Sequence, residues 1–357
     1  MKRLNMILLL LLLIYSFAGA QPGADSLLNF IINNKSRSAL YVVRNDTVLV
    51  KQNENKLMPL ASTIKILVAV EFAKQAGGGI INAESYVPIS ELNKYYLDGT
   101  DGGAHQNWLS YEKEKKLVKN DSVKLIDVAR GMTIFSSNAN TEFLMDLLGI
   151  ENIKSNLTLF GLKDHTAIYP IVSSLFLYQN PHNSNEKKVL KAIGKLTEEK
   201  YGQAIMQIHN GLKNNPTLKS KFRPQDLTMN MQKMWSDRLT ASTVKTYVQL
   251  GSIVNNRKFL SEKSYAVLSK LLEYFMESPG NQNVYKHFGI KGGSTAFVLT
   301  ETFYATTLKG DRVEAAYFFN DLTEDESEKL QSWMNGIRIG LTQSEKFRTK
   351  LTGAIKE

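Results

Sequence analysis

A serine and a lysine three positions apart on a helix share one face, so the amine can reach the hydroxyl and take its proton. The sequence holds four such pairs: Ser62–Lys65, Ser110–Lys113, Ser184–Lys187 and Ser242–Lys245. Ser110 and Ser184 lie in polar stretches, where a lysine stays hydrated, protonated and a poor base. Ser62 follows Pro59-Leu60-Ala61 and opens a run of Ile64, Ile66, Leu67, Val68, Ala69 and Val70. A helix apolar nearly all round is buried, and burial lowers a lysine pKa towards useful basicity. A serine at the start of that helix also places backbone N–H groups near developing negative charge. These are the parts needed for acyl transfer without metal or thiol. Cysteine is absent, and no two of the five histidines have metal-ligand helical spacing. A metal centre is therefore not expected, and no cofactor is implied.

Two further motifs follow Ser62 in order. Phe135-Ser136-Ser137-Asn138 interrupts two helical stretches, and Gly289-Ile290-Lys291-Gly292-Gly293-Ser294 leads into a C-terminal strand. No Ser-x-Asn lies between Ser242 and Lys291, so Ser242-Thr243 reads as an ordinary helix cap. Ser-x-x-Lys, Ser-x-Asn and Lys-x-Gly in this order form the signature of the penicillin-recognising serine enzymes. On these motifs, residues from about 25 to 343 resemble the class A β-lactamase-related serine hydrolases of the β-lactamase and penicillin-binding transpeptidase superfamily. The resemblance implies Ser62 as the acylated nucleophile and Lys65 as its proton acceptor, directly or through water. It implies that Ser136 relays a proton to the leaving nitrogen and that Asn138 holds substrate and Lys65. Lys291 would hold Ser136 and the substrate's anion. Gly293 and Ser294 would lie along the substrate, with the backbone N–H groups of Ser62 and Ser294 as the oxyanion hole.

The sequence also departs from the family. Ser137 and Gly292 replace the middle residues of Ser-Asp-Asn and Lys-Thr-Gly, where backbone position matters more than side chain. The stretch from Ser136 to Lys291 is roughly fifty residues longer than a compact class A layout needs. The surplus is assigned to the polar helical segment 182–235. Class A enzymes activate the hydrolytic water with a loop glutamate, yet residues 152–185 contain none. Asp164 or His165 is a candidate substitute, set against their reading as surface loop residues. The family's usual carboxylate-binding arginine is also missing, its neighbourhood reading Thr300-Glu301-Thr302. A turn-rich stretch from Tyr95 to Trp108 precedes the Ser-x-Asn turn, and His105 and Trp108 are candidates for the substrate rim, against a plain connecting loop. Tyr178-Gln179-Asn180 resembles a variant second motif but reads as core packing.

These residues need a fold that brings positions 62, 136 and 291 together. Residues 38–51 read as a β-hairpin turning at Arg44-Asn45-Asp46, and Thr63–Gln75 as a helix ended by three glycines. Helical patterns cover 123–132, 139–148, 186–212, 243–254 and 262–277. Strand character returns at 294–307 and 312–320, followed by an amphipathic helix over about 325–340. Strands at both ends around a helical middle predict an α+β fold: one antiparallel sheet from both termini, flanked by terminal helices, with an inserted all-helical lobe. The expected division is an α/β lobe from 25–60 and 285–345 and a helical lobe from 61–284, with the site in the cleft between them.

Residues 1–20 combine Lys2-Arg3, an apolar run from Met6 to Tyr15 and Ala18-Gly19-Ala20, the pattern of a cleaved signal peptide. The run is short of a bilayer span, so secretion or a periplasmic location is expected, without stable membrane insertion. Cleavage takes the formal charge from +10 to +8. The lysines are spread and lack interleaved aromatics, so nucleic acid is not an expected partner. The expected substrate is a small molecule or a peptidoglycan-derived group. The leading expectation is hydrolysis of a β-lactam or related amide; the alternatives are a D,D-peptidase or esterase with slow deacylation, and a non-catalytic penicillin-binding sensor or cell-wall module.

Overall fold

The computed structural model describes residues 17–179 and 185–355. Most of the expected signal peptide, together with Asn180, His182 and Ser184, lies outside the described residues. The first helix, α1 (Phe17–Asn33), begins within that segment and continues past Ala20.

A five-stranded antiparallel sheet forms the centre of one lobe. Its strands are β1 (Ser38–Arg44), β2 (Thr47–Gln52), β3 (Tyr285–Ser294), β4 (Leu299–Thr307) and β5 (Arg312–Phe319), in spatial order β2-β1-β5-β4-β3. The ends of the chain meet where β1 pairs with β5, Ser38 opposite Phe319 and Arg44 opposite Val313. The β1–β2 turn needs left-handed backbone, and Asn45 and Asp46 adopt it at φ 48° and 64°.

Both faces of the sheet are covered, which explains why β5 is apolar at almost every position. Val313, Ala315, Tyr317 and Phe319 face α1 and the C-terminal helices α10 (Glu324–Gln343) and α11 (Glu345–Ala354). Leu27, Leu28 and Ile31 of α1 and Leu330, Ile337 and Leu341 of α10 fill this layer. Ala316 and Phe318 point the other way, into the helical core. That core surrounds α2 (Lys65–Gly77), whose residues 65–73 are all buried. Its other helices include α3 (Ala104–Glu114), α4 (Leu125–Thr133), α5 (Asn138–Leu148), α6 (Ile171–Phe176), α7 (Glu198–Asn214), α8 (Val244–Asn256) and α9 (Glu262–Leu272).

The structure differs from the sequence expectations at several places, among them 262–277, where the helix ends at Leu272 and a separate 3-10 turn spans Tyr274–Glu277. The stretch 186–212 is two helices, broken at Lys195 and Leu196, because Thr197 caps α7 with Glu198 and Glu199 in its first turn. Residues 122–124 are a short strand, and α4 starts only at Leu125. Strand β3 starts at Tyr285, and a turn at 295–298 divides the expected 294–307 strand, the Thr295 hydroxyl accepting from the N–H groups of Phe297 and Val298. Finally α8, expected in the helical lobe, lies directly against the sheet, its Gly251 close to Thr302 and Tyr304.

Candidate active site

Ser62 sits in a single 3-10 turn, Ala61–Ile64, that runs straight into α2. Ala61 is held at φ 45°, a left-handed conformation uncommon for a residue with a Cβ. Three hydrogen bonds fix this turn. Leu60 N–H donates to Thr240 O at 2.9 Å, and Thr300 Oγ1 lies 2.8 Å from both Leu60 O and Thr63 Oγ1. Thr300 thus ties the serine turn to β4. The Ser62 side chain is half-buried and makes no hydrogen bond among the described residues.

One helical turn on, the Lys65 amine is fully buried. Its nitrogen lies 2.7 Å from Ser136 O, 3.2 Å from Ser136 Oγ and 2.8 Å from Asn138 Oδ1. The turn between α4 and α5 supplies these oxygens. Ser136 is left-handed, φ 68°, and Ser137 caps α5 by accepting the Asn140 N–H at 3.2 Å. A serine performs that capping as an aspartate would, which accounts for the altered middle residue.

Strand β3 closes the third side. Lys291 Nζ is 3.2 Å from Ser136 Oγ and donates to Gly292 O at 2.6 Å. The Ser136 hydroxyl therefore stands between two lysine amines. Burial pushes both lysines down. Lys65 falls well below the ordinary range, helped by the charge of Lys291 and opposed by Asp101; Lys291 falls to about 7, opposed by Glu301. Gly293 passes against the serine turn so closely that a Cβ there would lie 2.4 Å from Ser62 N. Only glycine admits that approach, which brings the start of α2 beside the Gly293-Ser294 backbone.

His105 and Trp108 are not on a rim. They are 2% and 0% exposed, because residues 104–114 form helix α3, which packs beneath the Ser136–Asn138 turn. His105 Nδ1 lies 3.0 Å from Ser137 Oγ and 3.1 Å from Asn140 Oδ1, with Tyr96 and Trp108 against its ring. Its contacts are with the turn. Asp164 is exposed and lends its carbonyl to the Ser242 hydroxyl, while His165 packs on Tyr247 with Nδ1 2.7 Å from Thr166 O. Neither makes a hydrogen bond to Ser62 or Lys65. Ser242 lies on a short strand preceding the Thr243 cap, and Lys245 is exposed. Where the family arginine is missing, Glu301 faces the outer helices and takes a two-pronged contact from Arg338 at 2.8 and 3.0 Å. The tie from Thr300 to the serine turn is not legible in the sequence, where this neighbourhood stands out only for lacking an arginine.

A family model described as the beta-lactamase enzyme family matches residues 24–250, well over half of the chain. The chain belongs to this family. No curated protein sequence matches it. Among solved structures, a class A beta-lactamase from Bacteroides cellulosilyticus is similar at 14% identity and TM-score 0.53, over 89% of this chain and 96% of that one. A beta-lactamase from Chitinophaga pinensis is similar at 15% identity and TM-score 0.52, over 93% and 97%. The penicillin-binding protein PBP-A is similar at 15% identity and TM-score 0.52, over 88% and 94%. At these identities the likeness is one of fold: the α+β, β-lactamase/transpeptidase-like architecture. Family membership carries a hydrolytic function of the serine-hydrolase type.

Proposed function

We propose that the protein is an exported serine hydrolase that forms an acyl-enzyme at Ser62 with a β-lactam or a related cyclic or linear amide. One observation carries this reading: Ser136 Oγ stands 3.2 Å from each of two desolvated lysine amines, Lys65 and Lys291, one helical turn from an unengaged serine hydroxyl. A neutral Lys65 takes the Ser62 proton as Ser62 Oγ attacks the carbonyl. The proton then passes through Ser136 to the leaving nitrogen. The backbone N–H groups of Ser62 and Ser294 receive the oxyanion, and Asn138 and Lys291 hold the substrate. The leader at residues 1–20 supports export to the periplasm or beyond.

A D,D-peptidase or esterase is the second reading. It is favoured by the partners of Asp164 and His165, which are Ser242, Thr166 and Tyr247 rather than Ser62 or Lys65, so that neither candidate base is engaged with the serine site. A purely binding module would have little use for two desolvated amines around one serine. Intact mass of the protein with excess penicillin G, with hydrolysis followed in parallel, separates these readings. A 1:1 adduct that Ser62→Ala abolishes and Ser242→Ala leaves intact is the expected result. A fleeting adduct with rapid hydrolysis indicates a β-lactamase, and a lasting one a peptidase. No adduct with penicillin G or with p-nitrophenyl acetate would refute the assignment.

A further inference from the structure

The N–H of Ser294 can receive an oxyanion only if the backbone that carries it is held in one orientation, because a group misplaced by about 1 Å loses much of its effect. Gly293 fixes one side of that backbone by its close approach to Ser62. The other side is the turn 295–298, which Thr295 organises by accepting the N–H groups of Phe297 and Val298 at 3.1 Å each. Thr295 Oγ1 has a third partner, from outside the turn. The Ser236 hydroxyl donates to it at 2.8 Å, across 59 residues of chain. Ser236 is fully buried on the helix Met229–Asp237, which ends the extra segment between Ser136 and Lys291. The same helix meets the far end of the turn. Lys233 Nζ lies 5.8 Å from the centre of the Phe297 ring and 2.7 Å from Asp321, and the next residue, Leu322, donates its N–H to Phe297 O at 3.1 Å. The residue before Ser236 reaches a different element. Trp235 Nε1 donates to Ser174 Oγ of α6 at 2.8 Å, and Glu142 of α5 accepts the N–H groups of Val172 and Ser173 in α6. Helix α5 itself begins at Asn138. Trp235 and Ser236 therefore close a continuous run of contacts from the Ser-x-Asn turn to the end of β3.

We propose that Ser236 is a positioning residue for acylation, acting through Thr295 to hold the Ser294 N–H where the oxyanion forms. This rests on the Ser62 acyl-enzyme reading above. As Ser62 Oγ bonds to the acyl carbon, the carbonyl electron pair moves onto oxygen, where the Ser62 and Ser294 N–H groups receive it. Collapse returns that pair and breaks the bond to the leaving group, which takes the Ser62 proton by way of Lys65 and Ser136. Ser236 makes and breaks no bond in this step; it sets the direction of one donor. The extra segment is thereby a support of the oxyanion site.

The test measures the acylation rate constant and the non-covalent dissociation constant for penicillin G, with urea unfolding alongside. Ser236→Ala and Thr295→Val should each slow acylation about 10- to 10²-fold and leave the dissociation constant near its wild-type value. Thr295→Ser, which keeps the acceptor, should acylate as wild type does. The double variant Ser236→Ala/Thr295→Val should be no slower than Thr295→Val alone, because the two side chains act through one contact. In the infrared spectrum of the acyl-enzyme, the ester carbonyl stretch should move to higher wavenumber in both single variants, as its oxygen loses a well-aimed donor. A wild-type rate constant and carbonyl stretch in Ser236→Ala, with stability alone reduced, would overturn the proposal and leave acylation at Ser62 intact. So would single-variant effects that multiply in the double variant. If Ser236→Ala does not fold, Thr295 decides, and equal acylation by Thr295→Val and wild type overturns the proposal. If wild type forms no adduct with penicillin G or with p-nitrophenyl acetate, the Ser62 reading itself fails and takes this proposal with it.

Discussion

The proposed acylation gives Lys65 and Lys291 opposite duties, although burial lowers the pKa of both. Lys65 must be neutral to accept a proton; Lys291 must be charged to hold Ser136 and an anionic substrate. Acylation should therefore rise with pH as Lys65 loses its proton, and fall above about 7 as Lys291 loses its own. Burst rates across pH 5–10 check this. Lys291→Arg, which stays charged, should remove the alkaline fall; an alkaline limb that survives in this variant would assign it to another group. The convergence of Ser62, Lys65, Ser136, Asn138 and Lys291 was legible because each sits in a short motif and the motifs occur in order. The burial of His105 was not. The Asp-Gly-Thr-Asp-Gly-Gly run before it signals a turn, and nothing local says that the helix after that turn packs inward.

Helices α5, α6 and α7 meet at a buried ion pair. Glu142 accepts from the N–H groups of Val172 and Ser173 at 2.8 and 3.1 Å, capping α6, and lies 3.0 Å from His209 Nδ1 on α7. The segment that lengthens the chain between Ser136 and Lys291 is thus bolted to the helix that follows the Ser-x-Asn motif. Burial pulls the His209 pKa down, but Glu142 and Asp146 outweigh it and leave the pKa raised. A raised pKa in the folded state contributes stability that is complete below the unfolded value and is lost as pH rises through the folded one. His209→Ala should therefore cost about 3 kcal/mol near pH 6, from an uncompensated buried Glu142, and less at pH 9. Urea unfolding at the two pH values measures the difference. An equal cost at both would show that packing against Tyr95, stacked on the imidazole at 5.2 Å, outweighs the charge. The hairpin β1–β2 was readable from Asn45-Asp46. Strand β3 was only half readable, because Gly289, Gly292 and Gly293 erase its alternation. Gly289 makes room for the Tyr304 ring and Gly293 for the serine turn, so these glycines answer to distant neighbours.

The sheet depends on both ends of the chain. With Leu27, Leu28 and Ile31 fully buried against α10, removing residues 21–33 should cost about 1.5–3 kcal/mol for each of the three side chains. Such a truncation should abolish cooperative unfolding by circular dichroism and, with it, acylation. A truncated chain that still melts cooperatively would show that α10 and α11 alone can cover that face. The apolar N-terminal run masked α1 in the sequence, since the helix starts at Phe17, inside the segment that reads as a signal peptide.

The pairing of β1 with β5 also bears on time. A ribosome adds about 5–20 residues per second, so β1 waits on the order of tens of seconds for the strand that completes it. Lys291 and Gly293 are also made late, after Ser62, Lys65 and Ser136 have all emerged. During that interval neither the five-stranded sheet nor the candidate site can close. Under the proposed export, threading through a narrow translocon would be helped by that delay. An interrupted synthesis, equally, leaves a fragment carrying Ser62 without the strand that packs against its turn.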